Sequence, residues 1–192
     1  MRLLRALVLA LAMAVAAAPV QAGDQAALWQ ALKAGGHAVI FRHALAPGTG
    51  DPPGFRLGDC STQRNLSDKG RAQAKAIGEA FRANAIRVDR VLTSRWCRAR
   101  DTAELMGVGP VEEAPMLDSF FADRSREPEQ TAALKQVLAG MKPGETVVMV
   151  SHQVNITALT GDVPASGEAA VIAPVPGKPG EFTIRGWLAV TP

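Results

Sequence analysis

The chain has 192 residues, with 21 lysines and arginines against 18 aspartates and glutamates, three histidines and two cysteines. That length fits one domain with a real core rather than two. The near balance of charge, without a lysine-rich run, argues against a nucleic-acid surface, and the scattered Trp29, Trp96 and Trp187 make no stacking platform for bases.

Arg2 and Arg5 precede an apolar run from Ala6 to Ala18, and Val20-Gln21-Ala22 has the small-residue pattern of a cleavage site, so residues 1–22 read as a secretory signal peptide. The run is short for a spanning helix, which needs about 20 apolar residues, and no later segment resembles one. Without its two arginines the remainder, 23–192, keeps 19 basic against 18 acidic side chains and reads as a single catalytic domain. Export, to the periplasm in a Gram-negative cell, puts Cys60 and Cys97 in an oxidising compartment and favours a disulfide between them. A zinc site is the weaker alternative, because no ligand-pair spacing supports it.

Asp24 to Ala34 reads as a helix with Ala27, Leu28, Leu32 and Trp29 on its buried side and Gly35-Gly36 as its stop. His37 to Arg42 is a strand. The following Leu45 to Gln63, rich in proline and glycine, must be a long loop, and such loops in compact domains are usually functional. Ser67 is placed to cap a helix with Asp68 in its first turn and Gly70, Ala74, Ile77 and Phe81 on one face. Val88 to Ser94 is a second strand, Arg98 to Met106 a helix, and Pro110 to Leu117 carries a short third strand. Glu127 to Met141 is an amphipathic helix through Leu134, Val137, Leu138 and Met141. After the turn Lys142-Pro143-Gly144-Glu145, Thr146 to Ser151 is the most apolar run of the mature chain and predicts a central strand, followed by a short helix from Asn155 to Leu159. Ala169 to Val175 and Phe182 to Val190 flank a loop as a terminal hairpin or edge pair. Strands alternating with helices predict a three-layer α/β/α sandwich with a mostly parallel, doubly wound sheet, since parallel strands need crossovers that cover both faces.

Three of the predicted strands lead to cations: Val39-Ile40-Phe41 to Arg42-His43, Val91-Leu92-Thr93-Ser94 to Arg98, and Val147-Val148-Met149-Val150-Ser151 to His152. Parallel strands collect these groups at one sheet edge, where open α/β sheets bind ligands, and four potential cations there call for an anion such as phosphate. A histidine at a strand's carboxyl end can attack phosphorus in line, and His43 is the candidate. Neighbouring Arg42 and Arg98 disfavour its protonation, and the planar guanidinium fork suits phosphate better than an ammonium does.

These residues also carry a resemblance. Arg42-His43-Ala44 resembles the Arg-His-Gly signature of the histidine phosphatase superfamily, which includes the phosphoglycerate mutases. Leu66-Ser67-Asp68-Lys69-Gly70-Arg71-Ala72-Gln73-Ala74 is similar to its Leu-Thr-x-x-Gly-x-x-Gln-Ala helix start, and Ser94 followed by Arg98-Ala99-Arg100-Asp101-Thr102-Ala103 to its Ser-Pro-x-x-Arg-Ala-x-x-Thr-Ala stretch. Ser151-His152 stands in the place of its second histidine. The resemblance covers residues 37–160 and implies a phosphoglycerate mutase-like fold, His43 as the phosphorylated nucleophile, and Arg42, Arg98 and His152 as the phosphate pocket, with Arg64 as a further phosphate contact. The sequence departs from the pattern at Ala44, at Arg95 in place of proline, and at Ser151 in place of glycine.

The family usually takes its proton donor from the segment after the third strand, which puts Asp118 first, with Asp123 and Glu113 as alternatives; the rival reading of Asp118, of equal weight, is a mere cap of the following turn. His37 lies a strand's length from the carboxyl edge and is left out of the site. The sequon Asn155-Ile156-Thr157 lies on a predicted helix and is taken as coincidence. The expected function is an exported phosphomonoesterase working through phosphohistidine, without metal or cofactor, on a small-molecule phosphate ester or an envelope-associated phosphosugar. The latter follows from the likeness to small exported members acting on lipopolysaccharide core heptose phosphate. The rival reading is a noncatalytic phosphate or phosphosugar binder on the same scaffold.

Overall fold

The computed structural model describes residues 22–190. Of the expected signal peptide only Ala22 is among them.

Side-chain alternation along the strands decides the layers. In β1 (Ala38–Arg42), Val39 and Phe41 face one core while Ala38 and Ile40 face the other, all fully buried. In β4 (Val147–Ser151), Val148 and Val150 join the first and Val147 and Met149 the second. The first face is covered by α1 (Ala22–Ala34), α2 (Asp68–Ala83) and α3 (Cys97–Met106), which contribute Leu28, Leu32, Ile77, Phe81, Ala103 and Met106. The second is covered by α4 (Glu127–Ala139) and α5 (Gln153–Thr160) through Leu134, Leu138, Ile156 and Leu159. Helices on both faces make the expected three-layer sandwich.

The remaining strands are β2 (Arg90–Thr93), β3 (Val111–Glu113), β5 (Ala169–Pro174) and β6 (Phe182–Leu188), and the sheet order is β3-β2-β4-β1-β5-β6. The first four run parallel; β5 pairs antiparallel with β1 and β6 with β5, the expected terminal hairpin. β4 lies between β2 and β1, and its register sets Thr93 opposite Val150 and Arg42 opposite Ser151. The residues that follow these strands therefore leave the sheet at one level.

Several boundaries moved for local reasons. β3 stops at Glu113 because Pro115 has no N–H for a ladder, and Pro115–Leu117 is a 3-10 turn that buries Leu117. α4 ends at Ala139, closed by Gly140, so Met141 is not helical. β2 begins only at Arg90, because Asp89 is tied to Thr146 through both its backbone and its side chain. Ala27, expected on the buried side of α1, is exposed, whereas Leu28 and Leu32 are buried.

Ser67 caps α2 as expected, accepting from the Gly70 amide at 3.1 Å. Two glycines let this helix come close to its neighbours. A Cβ on Gly70 would lie 2.1 Å from the Leu45 carbonyl oxygen, on the segment leaving β1, and one on Gly78 would lie 1.8 Å from the Met106 carbonyl oxygen at the end of α3. Both obstacles are backbone, so α2 would have to move away from the Leu45 segment or from α3. Gly78→Ala is therefore expected to destabilise the fold by about 2–3 kcal/mol despite alanine's better helix propensity, read as a lower urea midpoint with unchanged slope.

Candidate active site

The three aligned strand ends deliver the site. The His43 amide donates to Ser151 O at 2.9 Å and the Ser94 amide to Val150 O at 3.0 Å, extending the ladder by one residue on each side of β4. Past the ladder, His43 Nδ1 donates to its neighbour's carbonyl, Ala44 O, at 2.8 Å. This selects the tautomer whose Nε2 carries a lone pair. Arg98 Nε donates to that Nε2 at 3.2 Å.

Arg98 sits in the first turn of α3 and is 2% exposed. Its Nη1 donates to Asp51 Oδ1 at 2.6 Å and Nη2 to Asp51 Oδ2 at 3.2 Å, while longer contacts of 3.5 Å run from Nη1 to Arg64 O and from Nη2 to His152 Nδ1. Facing a donor, His152 Nδ1 must accept, so its Nε2 donates to Ser94 Oγ at 2.8 Å, and the Ser94 hydroxyl donates on to Asp118 Oδ1 at 3.3 Å. The two imidazole rings are 5.4 Å apart.

Burial first, then the charges of Arg98, Arg64 and Arg42, pushes His43 down to about 3 against the smaller opposing effect of its hydrogen bond to Ala44. Burial and the same cations also hold His152 well below its ordinary value. Arg64, lowered to about 10 by burial and by Arg98, stays cationic at neutral pH. Three guanidiniums, two neutral imidazoles and the Asp51 carboxylate leave the site about two charges positive, the complement of a phosphate dianion.

Arg42, His43, Asp51, Arg64, Arg98 and His152 line a cleft of about 180 Å³. Arg42 Nη1 donates to Pro164 O at 2.9 Å, and its Nε is buried without a partner among the described residues. Arg64 Nε donates to Gly50 O at 2.7 Å and its Nη1 to Ala46 O, which holds the long loop around the guanidinium. The cleft suits a phosphoryl group and leaves the rest of a substrate at the mouth, where Thr49, Ser119, Gln153 and the half-exposed Phe121 stand. A larger hollow of about 480 Å³ lies at the opposite end of the sheet, beside Gly36 and Lys142-Pro143-Gly144, away from both imidazoles.

The structure thus brings together Arg42, His43, Arg64, Arg98 and His152. It does not bring Asp118 to the cleft. Asp118 is fully buried beside it, where Oδ1 accepts from the Arg95 amide at 2.9 Å and Oδ2 from Arg95 Nε at 2.8 Å. Asp118 touches the site only through Ser94. Arg95, the departure from the family's proline, is what occupies the carboxylate. Asp123 is exposed and caps a turn through Ser125, and Glu113 is exposed at the end of edge strand β3. His37 bonds Gly35 O at the far end of β1, and Asn155 of the sequon is buried with its amide donating to Asp118 O at 2.8 Å.

Asp51 escaped the sequence reading because a lone aspartate among loop glycines and prolines matches no pattern. Only the fold brings it against Trp96 Nε1, which donates to Oδ2 at 3.0 Å, and the Arg64 amide, which donates to Oδ1 at 3.3 Å. The loop that carries Asp51 is stapled to α3: Cys60 and Cys97 form a disulfide, and the Cys97 amide donates to Gln63 Oε1 at 3.0 Å.

Residues 40–124, which include four of the five gathered cationic-edge residues, match the family model of the histidine phosphatase superfamily (branch 1). This is the superfamily that the motifs of the sequence resemble. The mitochondrial serine/threonine-protein phosphatase Pgam5 of Drosophila virilis is 31% identical over 74 residues, 38% of this chain; the match spans only 23% of that relative's length. Among solved structures, the protein histidine phosphatase SixA complexed with tungstate superposes with a TM-score of 0.57 at 19% identity, covering 80% of this chain and 96% of that one. Mycobacterial hydrolase 1 gives 0.59 at 19% identity, with 81% and 99% covered. At such identities the superpositions speak for the fold.

Between pH 6.5 and about 3 the unfolded chain binds a proton that folded His43 refuses, so stability falls as pH drops through that window. His43→Gln removes this proton and is expected to flatten the pH dependence of urea unfolding there, by up to about 1.4 kcal/mol per pH unit. Cutting the staple with Cys60→Ser plus Cys97→Ser, which opens a loop of sequence separation 37, is expected to cost about 3–4 kcal/mol in the same assay and to raise KM by loosening Asp51 and Arg64.

Proposed function

We propose that this protein is an exported phosphomonoesterase that works through a phosphohistidine on His43. The observation that carries the reading is the gathering of His43 with Arg42, Arg64 and Arg98 in one cleft, where Arg98 Nε donates to His43 Nε2 at 3.2 Å and burial among the guanidiniums keeps that imidazole neutral. In the first step Nε2 forms a bond to phosphorus as the ester P–O bond breaks, and the departing oxygen takes a proton. In the second, water attacks phosphorus, the N–P bond breaks, and neutral His43 returns with release of phosphate.

Phosphoryl transition states are loose, so positioning and charge stabilisation supply most of the catalysis. Arg42, Arg64 and Arg98 address the nonbridging oxygens. His152, held by Ser94 with its protonated Nε2 turned away, keeps Nδ1 and the ring beside Arg98. The names of the relatives, a protein histidine phosphatase and a serine/threonine-protein phosphatase, fit phosphoryl chemistry.

The reading of residues 1–22 as a leader and the Cys60–Cys97 bridge support work outside the cytoplasm. A phosphosugar of the cell envelope suits the mouth of the cleft, where hydroxyl and amide side chains can bond sugar hydroxyls and Phe121 offers a face for stacking.

The test is capture of labelled phosphoprotein after mixing with a radiolabelled phosphate ester. The label is expected to be stable in base, labile in acid, and absent from His43→Ala. Arg98→Ala is expected to lose about 10³–10⁵ in kcat/KM. Wild-type protein that binds phosphate yet neither labels nor turns over would instead be the noncatalytic binder.

A further inference from the structure

The departing oxygen needs a proton, and none of Asp118, Asp123 and Glu113 stands where it could give one. Among the described residues that line the cleft, Asp51 is the one carboxylate. Its side chain is 16% exposed and is held by Trp96, the Arg64 amide and both terminal nitrogens of Arg98. Arg98 is strung between two groups, Nε toward the nucleophile and Nη1 and Nη2 toward this carboxylate. In-line displacement asks for that kind of placement: nucleophile and acid apart, each about 3 Å from the atom it addresses, with phosphorus and its leaving oxygen between them.

We propose that Asp51 is the general acid of this site, protonating the leaving oxygen as His43 attacks and taking a proton back from the hydrolytic water. The assignment rests on the phosphohistidine reading above.

In the free protein the Asp51 carboxylate occupies the guanidinium fork that a phosphoryl group requires. Two anions on one fork repel, and the repulsion is relieved when the arriving monoanionic ester hands its proton to Asp51, leaving a dianionic phosphoryl group beside a carboxylic acid. His43 Nε2 then bonds phosphorus, the ester P–O bond breaks, and its electron pair takes the Asp51 proton. The products are the free alcohol, phosphohistidine and the Asp51 carboxylate. That carboxylate accepts a proton from water as the water oxygen bonds phosphorus and the N–P bond breaks. Phosphate leaves with that proton, and Asp51 returns to Arg98. Burial acts to raise the Asp51 carboxyl, but Arg98, with Trp96 and the Arg64 amide, outweighs it and holds the group below its ordinary value in the free protein. A phosphoryl group that takes over Arg98 removes that hold.

The test compares p-nitrophenyl phosphate, whose leaving group departs without help, with glycerol phosphate, whose alkoxide does not. Asp51→Asn is expected to lose about 10²–10⁴ in kcat on glycerol phosphate but about tenfold or less on p-nitrophenyl phosphate, with phosphohistidine still trapped from the latter. Should the Asn variant melt early, Asp51→Glu, which keeps a carboxyl group, carries the test and must preserve the wild-type ratio of the two rates. Equal losses on both esters, no loss on glycerol phosphate, or a gain on both would overturn the assignment; a gain would show Asp51 to be only a resident competitor for Arg98. Wild-type protein inert on both esters would overturn the phosphohistidine reading itself.

Discussion

Burying a guanidinium in the midst of other guanidiniums is the constraint around which this site is built. Arg98 is almost wholly removed from water and has Arg42 and Arg64 as neighbours, a placement that costs several kcal/mol unless each N–H finds an acceptor. The acceptors are Asp51, His43, His152 and the Arg64 carbonyl. Two of these are imidazoles, which can accept only when neutral. The arrangement that satisfies Arg98 thus also keeps a lone pair on His43 Nε2.

The same constraint explains the long loop. Without Asp51 the cleft would hold one buried and two half-buried cations and no anion. The loop supplies the carboxylate, and its own irregular backbone is held by Arg64 through Gly50 O and Ala46 O and by the Cys60–Cys97 bridge. Loop and cation cluster stabilise one another. A chain reaction of contacts on the other side, from His152 to Ser94 to Asp118 to Arg95, fixes the second imidazole. It passes through Arg95, a departure from the family pattern, while another departure, Ser151, donates its hydroxyl to Leu117 O at 2.7 Å and anchors the segment that leads into Asp118. The departures form part of a local network in which Arg95, and not the cleft, receives Asp118.

Much of the architecture was legible because it is local or periodic. The apolar runs ending in Arg42-His43 and Ser151-His152, the cap at Ser67 and the one-sided pattern of α2 each announce an element and its direction. So do four of the site's residues, since a parallel α/β sheet must bring its strand ends to one edge. Boundaries were less legible where a single tie decided them, as Asp89 does for β2, or where chain geometry ends an element, as Pro115 does for β3.

The sequence by itself determined the layering and the gathering of Arg42, His43, Arg98 and His152, because hydrophobic periodicity and strand-end position are written in consecutive residues. Only the tertiary structure decided which carboxylate faces the cleft. Asp51 and Asp118 are both acids in irregular segments, and no local pattern separates them. What does is competition among guanidiniums for a short supply of anions: Arg95 holds one carboxylate behind the sheet edge, and Arg98 draws the other into the cleft.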